Sequence, residues 1–400
     1  MAIALATGYD MDIYTVGRDG TNPTPITRSG AYEFFPAWSP NGQYIAFVSD
    51  RPTCPSWIPG EPGTCDGTDA PPPRGGQLFI VEVATGELTQ LGDAFITEPP
   101  RWINERQIAF SSGEPALGDP GRSLWLVDIF ERRPREFRLA DGTDTPIKLS
   151  ESWSPGGSQI LFQAANGDTE VVLSNADGSV VGRFSDLTFS RYGMAASWSP
   201  DGTRIVLSHH RGQGSEIFTL PAAGGEPVPV TRHAPSWWHG WSPDGARLAY
   251  VAARGGSRVV DVYTIGVEGG EEQRLTYGEG HCDGPDYSAD GARIYYNCDR
   301  GGHAQIWVMA VDGTGQRQVF EDDTVNWFPH PSPDGETLVY LAYPSGTTGH
   351  PADLPVALVL CDTEGRERRV VRKFIGGQGT INVPSWAPDG RAFAYVRYEP

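Results

Sequence analysis

Eight histidines stand in the chain, and three of them, His239, His281 and His330, fall in short stretches that also carry carboxylates, amides and indoles. Trp237 and Trp238 precede His239, Asp283 and Asp286 follow His281, and Asn326 and Trp327 precede His330. Glu33, Glu98, Glu151, the Arg191-Tyr192 pair, Gln378 and Asn382 hold comparable places elsewhere. Indole faces cover the apolar faces of sugar rings while carboxylates, amides and imidazoles satisfy hydroxyls, so this set suits a sugar-like or other polar ligand. Acid–base catalysis would draw on Glu33, Glu98, Asp283, Asp286, His239, His281 and His330. A third chemistry is metal binding: His239, His281, Asp286 and His330 offer nitrogen and oxygen ligands of the kind Mn, Zn or Ca would take. No H-x-x-H or H-E-x-x-H spacing accompanies them. The plain alternative is that the tryptophans pack between repeats, the Asp and Asn residues cap turns, and the histidines are internally bonded.

These stretches share one neighbour, a phrase that recurs along the chain. It reads Trp38-Ser-Pro-Asn-Gly42, Trp153-Ser-Pro-Gly-Gly157, Trp198-Ser-Pro-Asp-Gly202, Trp241-Ser-Pro-Asp-Gly245, Tyr287-Ser-Ala-Asp-Gly291, Pro331-Ser-Pro-Asp-Gly335 and Trp386-Ala-Pro-Asp-Gly390, with a degenerate copy at Trp102-Ile-Asn-Glu-Arg106. The copies lie roughly 43 to 64 residues apart, the spacing of four-stranded propeller blades with loop insertions. Each phrase follows a strand A and is followed by β-rich runs for strands B and C, as in Ile294-Tyr-Tyr296 and Gln305-Ile-Trp-Val308, then a Gly turn and a short strand D. The candidate residues therefore sit on or just before strand A, the innermost strand of a blade.

The ends are out of phase with the repeat. The chain opens with a C and D pair, Asp12-Ile-Tyr-Thr-Val16 and Pro25-Ile-Thr27, and finishes with an A and B pair at 383–386 and 392–396. Joining them completes one blade and closes the ring, removing two exposed sheet edges. The expected fold is an all-β, closed β-propeller forming a single domain over 1–400, with eight four-stranded blades, or seven if the Trp102 copy is not a blade.

The repeats resemble those of the TolB-like β-propeller family over essentially the whole chain. Trp238 to Gly245, Asp283 to Ser288, Asn326 to Gly335 and Gly376 to Trp386 are closest to one branch of it, labelled mostly by analogy with TolB. Tol-type envelope scaffolding is one role the resemblance implies. TolB, however, carries an α/β domain ahead of its propeller, and prolyl-oligopeptidase relatives add a hydrolase domain; these 400 residues hold neither, nor a Gly-x-Ser-x-Gly elbow. Oligogalacturonate lyase, a similar propeller, offers a precedent for metal-assisted carbohydrate chemistry.

Antiparallel blades place the A-to-B and C-to-D turns at one end and the B-to-C loops and D-to-A crossovers at the other. The turn end carries the stereotyped Gly turns and reads as chemically bland. All eight histidines belong to the other end, with His209, His210, His303 and His350 in or beside B-to-C loops and His233 in a crossover. The expected function is a module binding a protein or oligosaccharide through a histidine- and aromatic-rich loop face. A metal-assisted carbohydrate lyase or glycosidase is the second reading.

A net charge of −19 opposes nucleic-acid phosphates and anionic lipid. No apolar run is long enough to span a bilayer, and residues 1–9 lack the regions of a signal peptide, so a soluble monomer is expected, cytoplasmic unless an export signal has been removed, in which case periplasmic or extracellular. Among five cysteines, Cys54 and Cys65 share a Pro- and Gly-rich insertion that a disulfide could staple, and Cys282 and Cys298 flank the Asp290-Gly291 turn nearly symmetrically, which would place them opposite each other on strands A and B. Cys361 is left over. Two such pairings favour an oxidising compartment, and reduced thiols are the alternative.

Overall fold

The computed structural model describes residues 2–6, 11–15, 24–65, 75–112, 123–143, 147–166, 168–187, 196–211, 214–351, 354–377, 381, 386 and 390. Every regular element among them is a strand, and no helix is present that could cross a membrane. Seven four-stranded antiparallel sheets follow one another, each with its strands in simple sequence order. Their A strands are Glu33–Trp38, Arg101–Trp102, Ile147–Trp153, Ala196–Trp198, Ser236–Trp241, Cys282–Tyr287 and Val325–Pro331, which define blades one to seven.

Two compact units contain them, Met1–Asp186 and Leu187–Pro400. In the first, the N-terminal sheet packs on blade one, blade one on two and two on three. In the second, blades four to seven pack in the same serial way. Alternation along a strand drives this: Ala249 and Val251 of blade five face blade six, while Leu248, Tyr250 and Ala252 face blade four. Both faces of an interior blade are thus apolar.

The repeated phrase is a turn built from side-chain bonds. In blade five the Ser242 hydroxyl donates to Asp244 Oδ1 at 2.6 Å and accepts from the Arg247 amide at 2.9 Å, while Asp244 Oδ1 also accepts from the Ala246 amide at 3.0 Å. Gly245 closes the turn at φ 69°, a conformation that costs residues with a Cβ. Ser199 with Asp201, Ser288 with Asp290 and Ser332 with Asp334 repeat the arrangement. The degenerate copy is a real blade: Asn104 Oδ1 takes over the role, accepting from the amides of Arg106 and Gln107 at 2.9 Å.

Among the described residues the four-stranded blades number seven, not the expected eight. The predicted composite blade required 392–396 to lie beside the N-terminal C strand. Instead the chain's own Ala2–Ala6 pairs antiparallel with Met11–Thr15, from Ala2 opposite Thr15 to Ala6 opposite Met11, making a three-stranded sheet with Thr24–Pro25. Strand B's position there is filled by residues that the sequence reading placed ahead of the first repeat. Residues 383–385 and 391–400 lie outside those described.

Two disulfides are present, Cys54–Cys65 and Cys282–Cys298, as the spacing suggested, and Cys361 is free and buried. Cys282 and Cys298 are direct cross-strand partners with Cα atoms 4.1 Å apart.

Candidate functional site

Strand A is bent by a bulge in several blades. Register shifts fall between Phe34 and Ala37, Trp238 and Gly240, Asp283 and Asp286, and Trp327 and His330. At the position three residues before the turn aromatic or its equivalent, Phe35, Gly284 and Phe328 have φ of 55°, 59° and 58°. A bulge inserts one residue and re-aims its neighbours, so the side chains just before the motif leave the ordinary alternation of the strand. Within the second unit, the A strands of blades five, six and seven stand side by side, bringing their bulges into one neighbourhood.

His330 and Asp286 meet there. His330 Nδ1 lies 3.1 Å from Asp286 Oδ2, and its Nε2 lies 2.6 Å from the carbonyl oxygen of Ile381. The His330 side chain is 5% exposed and that of Asp286 15%. Gly240 of blade five leaves the space beside them: a Cβ there would sit 3.4 Å from Asp286 Oδ1. His281 does not join this pair, its Nε2 lying 3.9 Å from Asp283 Oδ2 with the imidazole 40% exposed.

Asn326 is wholly buried and donates to Gln305 Oε1 at 3.0 Å and Asp322 Oδ1 at 3.0 Å. Gln305 in turn bonds the Thr324 carbonyl and His303 Nε2, tying the end of strand C to the crossover. Burial acts to raise the Asp322 carboxyl, but the Thr324 hydroxyl, Asn326 amide and Arg368 together hold it below the usual range. Trp327 is buried, with His350 edge-on to it at 4.6 Å. Trp237 is half-buried and packs on the core between blades five and six.

Of the predicted residues in the first unit, Glu33 takes a structural role. Glu33 is wholly buried; Arg51 and Thr27 bond its carboxylate, and the Ser29 hydroxyl donates to it at 3.0 Å. This candidate acid is the buried half of an ion pair whose Arg51 side chain is 20% exposed. Arg51 also lies over the Phe79 ring at 5.1 Å. Its neighbour Asp50 accepts from the Tyr32 amide and from Trp57 Nε1 at 2.7 Å, and burial still raises its carboxyl above the ordinary value. Asp299 likewise accepts from the His281 amide at 2.7 Å, so both Asp-Arg pairs open their loops structurally. Glu98 is half-buried ahead of blade two's A strand.

Arg191, Tyr192, Gln378 and Asn382 lie outside the described residues, as do the side chains of Glu151, Trp238 and His239. The described histidine side chains do not form one exposed surface. His209 and His330 are buried, His303 is bonded to Gln305, and His210 and His233 are exposed. Both ring nitrogens of His330 are engaged, and among the described residues, which leave out the His239 side chain, no three His, Cys, Asp or Glu side chains gather around a point. The described set does not fit a Mn, Zn or Ca centre.

Two motif tryptophans have a further use that the sequence did not reveal, whereas the indole nitrogens of Trp38, Trp153 and Trp241 are buried without a hydrogen-bond partner among the described residues. Trp102 Nε1 donates to the Ala37 carbonyl at 2.9 Å, and Trp386 Nε1 to the His330 carbonyl at 2.9 Å. Ala37 and His330 occupy the same repeat position, just before the motif, so these indoles link the start of one repeat to the strand A before it. Ile381 is the other missed contributor. It acts through a backbone oxygen, for which side-chain chemistry gives no signal.

Residues 228–352 match the family model described as TolB beta propeller domain. The uncharacterized protein Atu1656 of Agrobacterium fabrum is 39% identical over 287 residues, covering 71% of this chain and 96% of that one. A Tol-Pal system protein TolB from Anaeromyxobacter dehalogenans is 29% identical over 227 residues, and the match covers 53% of this chain and 49% of that protein. A solved structure from Agrobacterium tumefaciens, provisionally assigned as TolB, is 38% identical with a TM-score of 0.52, over 68% of this chain and 96% of that one. Blade architecture, turn motif and relatives agree, and the chain belongs to the TolB-like β-propeller family.

Proposed function

We propose that this propeller is a binding module that holds a protein or oligosaccharide ligand at the loop ends of blades five to seven and does not transform it. The observation that carries this reading is how the inner-strand groups are used. His330, Asn326 and Glu33 are buried and bonded to protein partners, and so hold strands together. His281 and Asp283 instead lie partly exposed at the start of blade six's A strand, with half-buried Trp237 on the strand beside it. An aromatic face flanked by an imidazole and a carboxylate recognises polar ligands without needing an acid poised for proton transfer. The Tol-Pal relative supports a protein as one candidate ligand.

The test is a thermal-shift and calorimetry screen of neutral and acidic oligosaccharides and of peptides, with product analysis of each positive mixture. Saturable binding that leaves the ligand intact and weakens at least tenfold in His281→Ala, at unchanged melting temperature, supports the module. Cleavage or elimination of a bound oligosaccharide sinks it in favour of a carbohydrate enzyme.

A further inference from the structure

The turn ends of the blades, bland in sequence, hold a cavity of about 80 Å³ between blades one and two. Buried Ile80 and Ile129 line it, together with half-buried Tyr44 and with Phe130, which is 61% exposed. Glu82 and Glu87 bring two carboxylates to the same lining, against the single cation of Arg132. Glu82 accepts a bond from the Thr85 hydroxyl at 2.6 Å, whereas the Glu87 carboxylate has no ion-pair partner among the described residues. The Phe130 ring already takes a guanidinium from its own chain, with Arg106 Cζ 5.4 Å from its centroid.

We propose that this cavity is a docking site for an arginine side chain of a protein partner. The apolar lining suits the aliphatic stem, and the charged head would meet aromatic faces and carboxylates, the two groups a planar guanidinium engages best. Charge complementarity selects this occupant: the lining is net negative, and the chain's charge of −19 draws basic segments toward it. The site lies at the turn ends of blades one and two and is independent of the loop-end ligand site proposed above.

The full chain carrying labelled isoleucine methyl groups would be titrated, by NMR, with a blocked Gly-Ser-Arg-Ser-Gly peptide and with its glutamate counterpart. Saturable shifts at the Ile80 and Ile129 methyls are expected from the arginine peptide alone. They should weaken at least fivefold in Glu87→Gln and Phe130→Ala, fade at high salt, and strengthen in Arg132→Ala; all three positions are exposed, and each variant should keep the parent's melting temperature. The proposal is overturned by absent or unsaturable shifts, by equal shifts from the glutamate peptide, by variants that bind as the parent does, or by concentration-dependent shifts without peptide, which would make a second copy the occupant.

Discussion

Nδ1 of His330 lies 3.1 Å from Oδ2 of Asp286, joining the A strands of blades seven and six, and the opposite ring nitrogen faces the carbonyl of Ile381. A carbonyl and a carboxylate only accept hydrogen bonds, and a neutral imidazole has one N–H to give. The ring therefore stands between two acceptors. The pair is a three-way tie between two blades and the C-terminal segment.

Replacing His330 by Ala leaves Asp286 and a buried carbonyl without their ring-nitrogen neighbour, and the expected loss is roughly 3 kcal/mol of unfolding free energy. Asp286→Asn keeps a carbonyl oxygen for the ring and should lose less. Urea unfolding of the three proteins checks this ranking, and an unchanged midpoint in His330→Ala would exclude the tie.

The Cys282–Cys298 bridge closes a sequence separation of 16 residues between neighbouring strands. Removing it with paired Ala substitutions should lower stability by roughly 3 kcal/mol, the loop-entropy value for such a span. Non-reducing peptide mapping should recover this pair and Cys54–Cys65, with Cys361 unreactive until the protein unfolds. Burial pushes that thiol up to about 12, so little thiolate is available to react.

Acid should weaken the repeat turns together. The Ser199 hydroxyl first, then the Thr203 amide and hydroxyl, hold Asp201 down to about 2 from an ordinary value of 3.8. The Ser242 and Ser288 hydroxyls likewise lower Asp244 and Asp290. A carboxyl whose folded value is depressed contributes stability above its unfolded value and loses it as pH falls through the folded one. The melting temperature should thus drop as pH goes from 3.8 towards 2, and Asp201→Asn should flatten part of that drop. An identical acid profile in the variant would show that the turn carboxylate is not linked to folding.

Gly284 tests the bulge. At φ 59° it would be strained by any side chain, and a Cβ would meet Asn297 Oδ1 at 2.8 Å. Gly284→Ala should cost roughly 1–3 kcal/mol. Gly301→Ala, whose Cβ would meet nothing nearer than Gln318 Oε1 at 3.9 Å, serves as the neutral comparison.

Local patterns were the legible part of this chain. Ser-Pro-Asp-Gly specifies its own turn through bonds spanning five residues, so its recurrence located the blades, including the degenerate one at Trp102. Cys282 and Cys298 were readable as partners because antiparallel pairing makes residues equidistant from a turn face each other. Pairing of Ala2–Ala6 with the following strand was not, since five small and aliphatic residues carry no motif. For the site, residue types pointed to His330 and Asp286 but not to their use. Burial turns an imidazole from a reagent into a tie, and burial depends on how bulged strands from separate repeats meet. Glu33 misled for the same reason: its partners Thr27, Ser29 and Arg51 are individually unremarkable in sequence.

The indole bonds from Trp102 and Trp386 end on main-chain oxygens, not on side chains. A link of that kind asks nothing of the residue type it grips, only that a strand pass at the right height. Either neighbour is then free to change its side chains at that position while the joint survives. Repeats can diverge in what they display and still stack, so new loops can be tried on an old frame without rebuilding the seam.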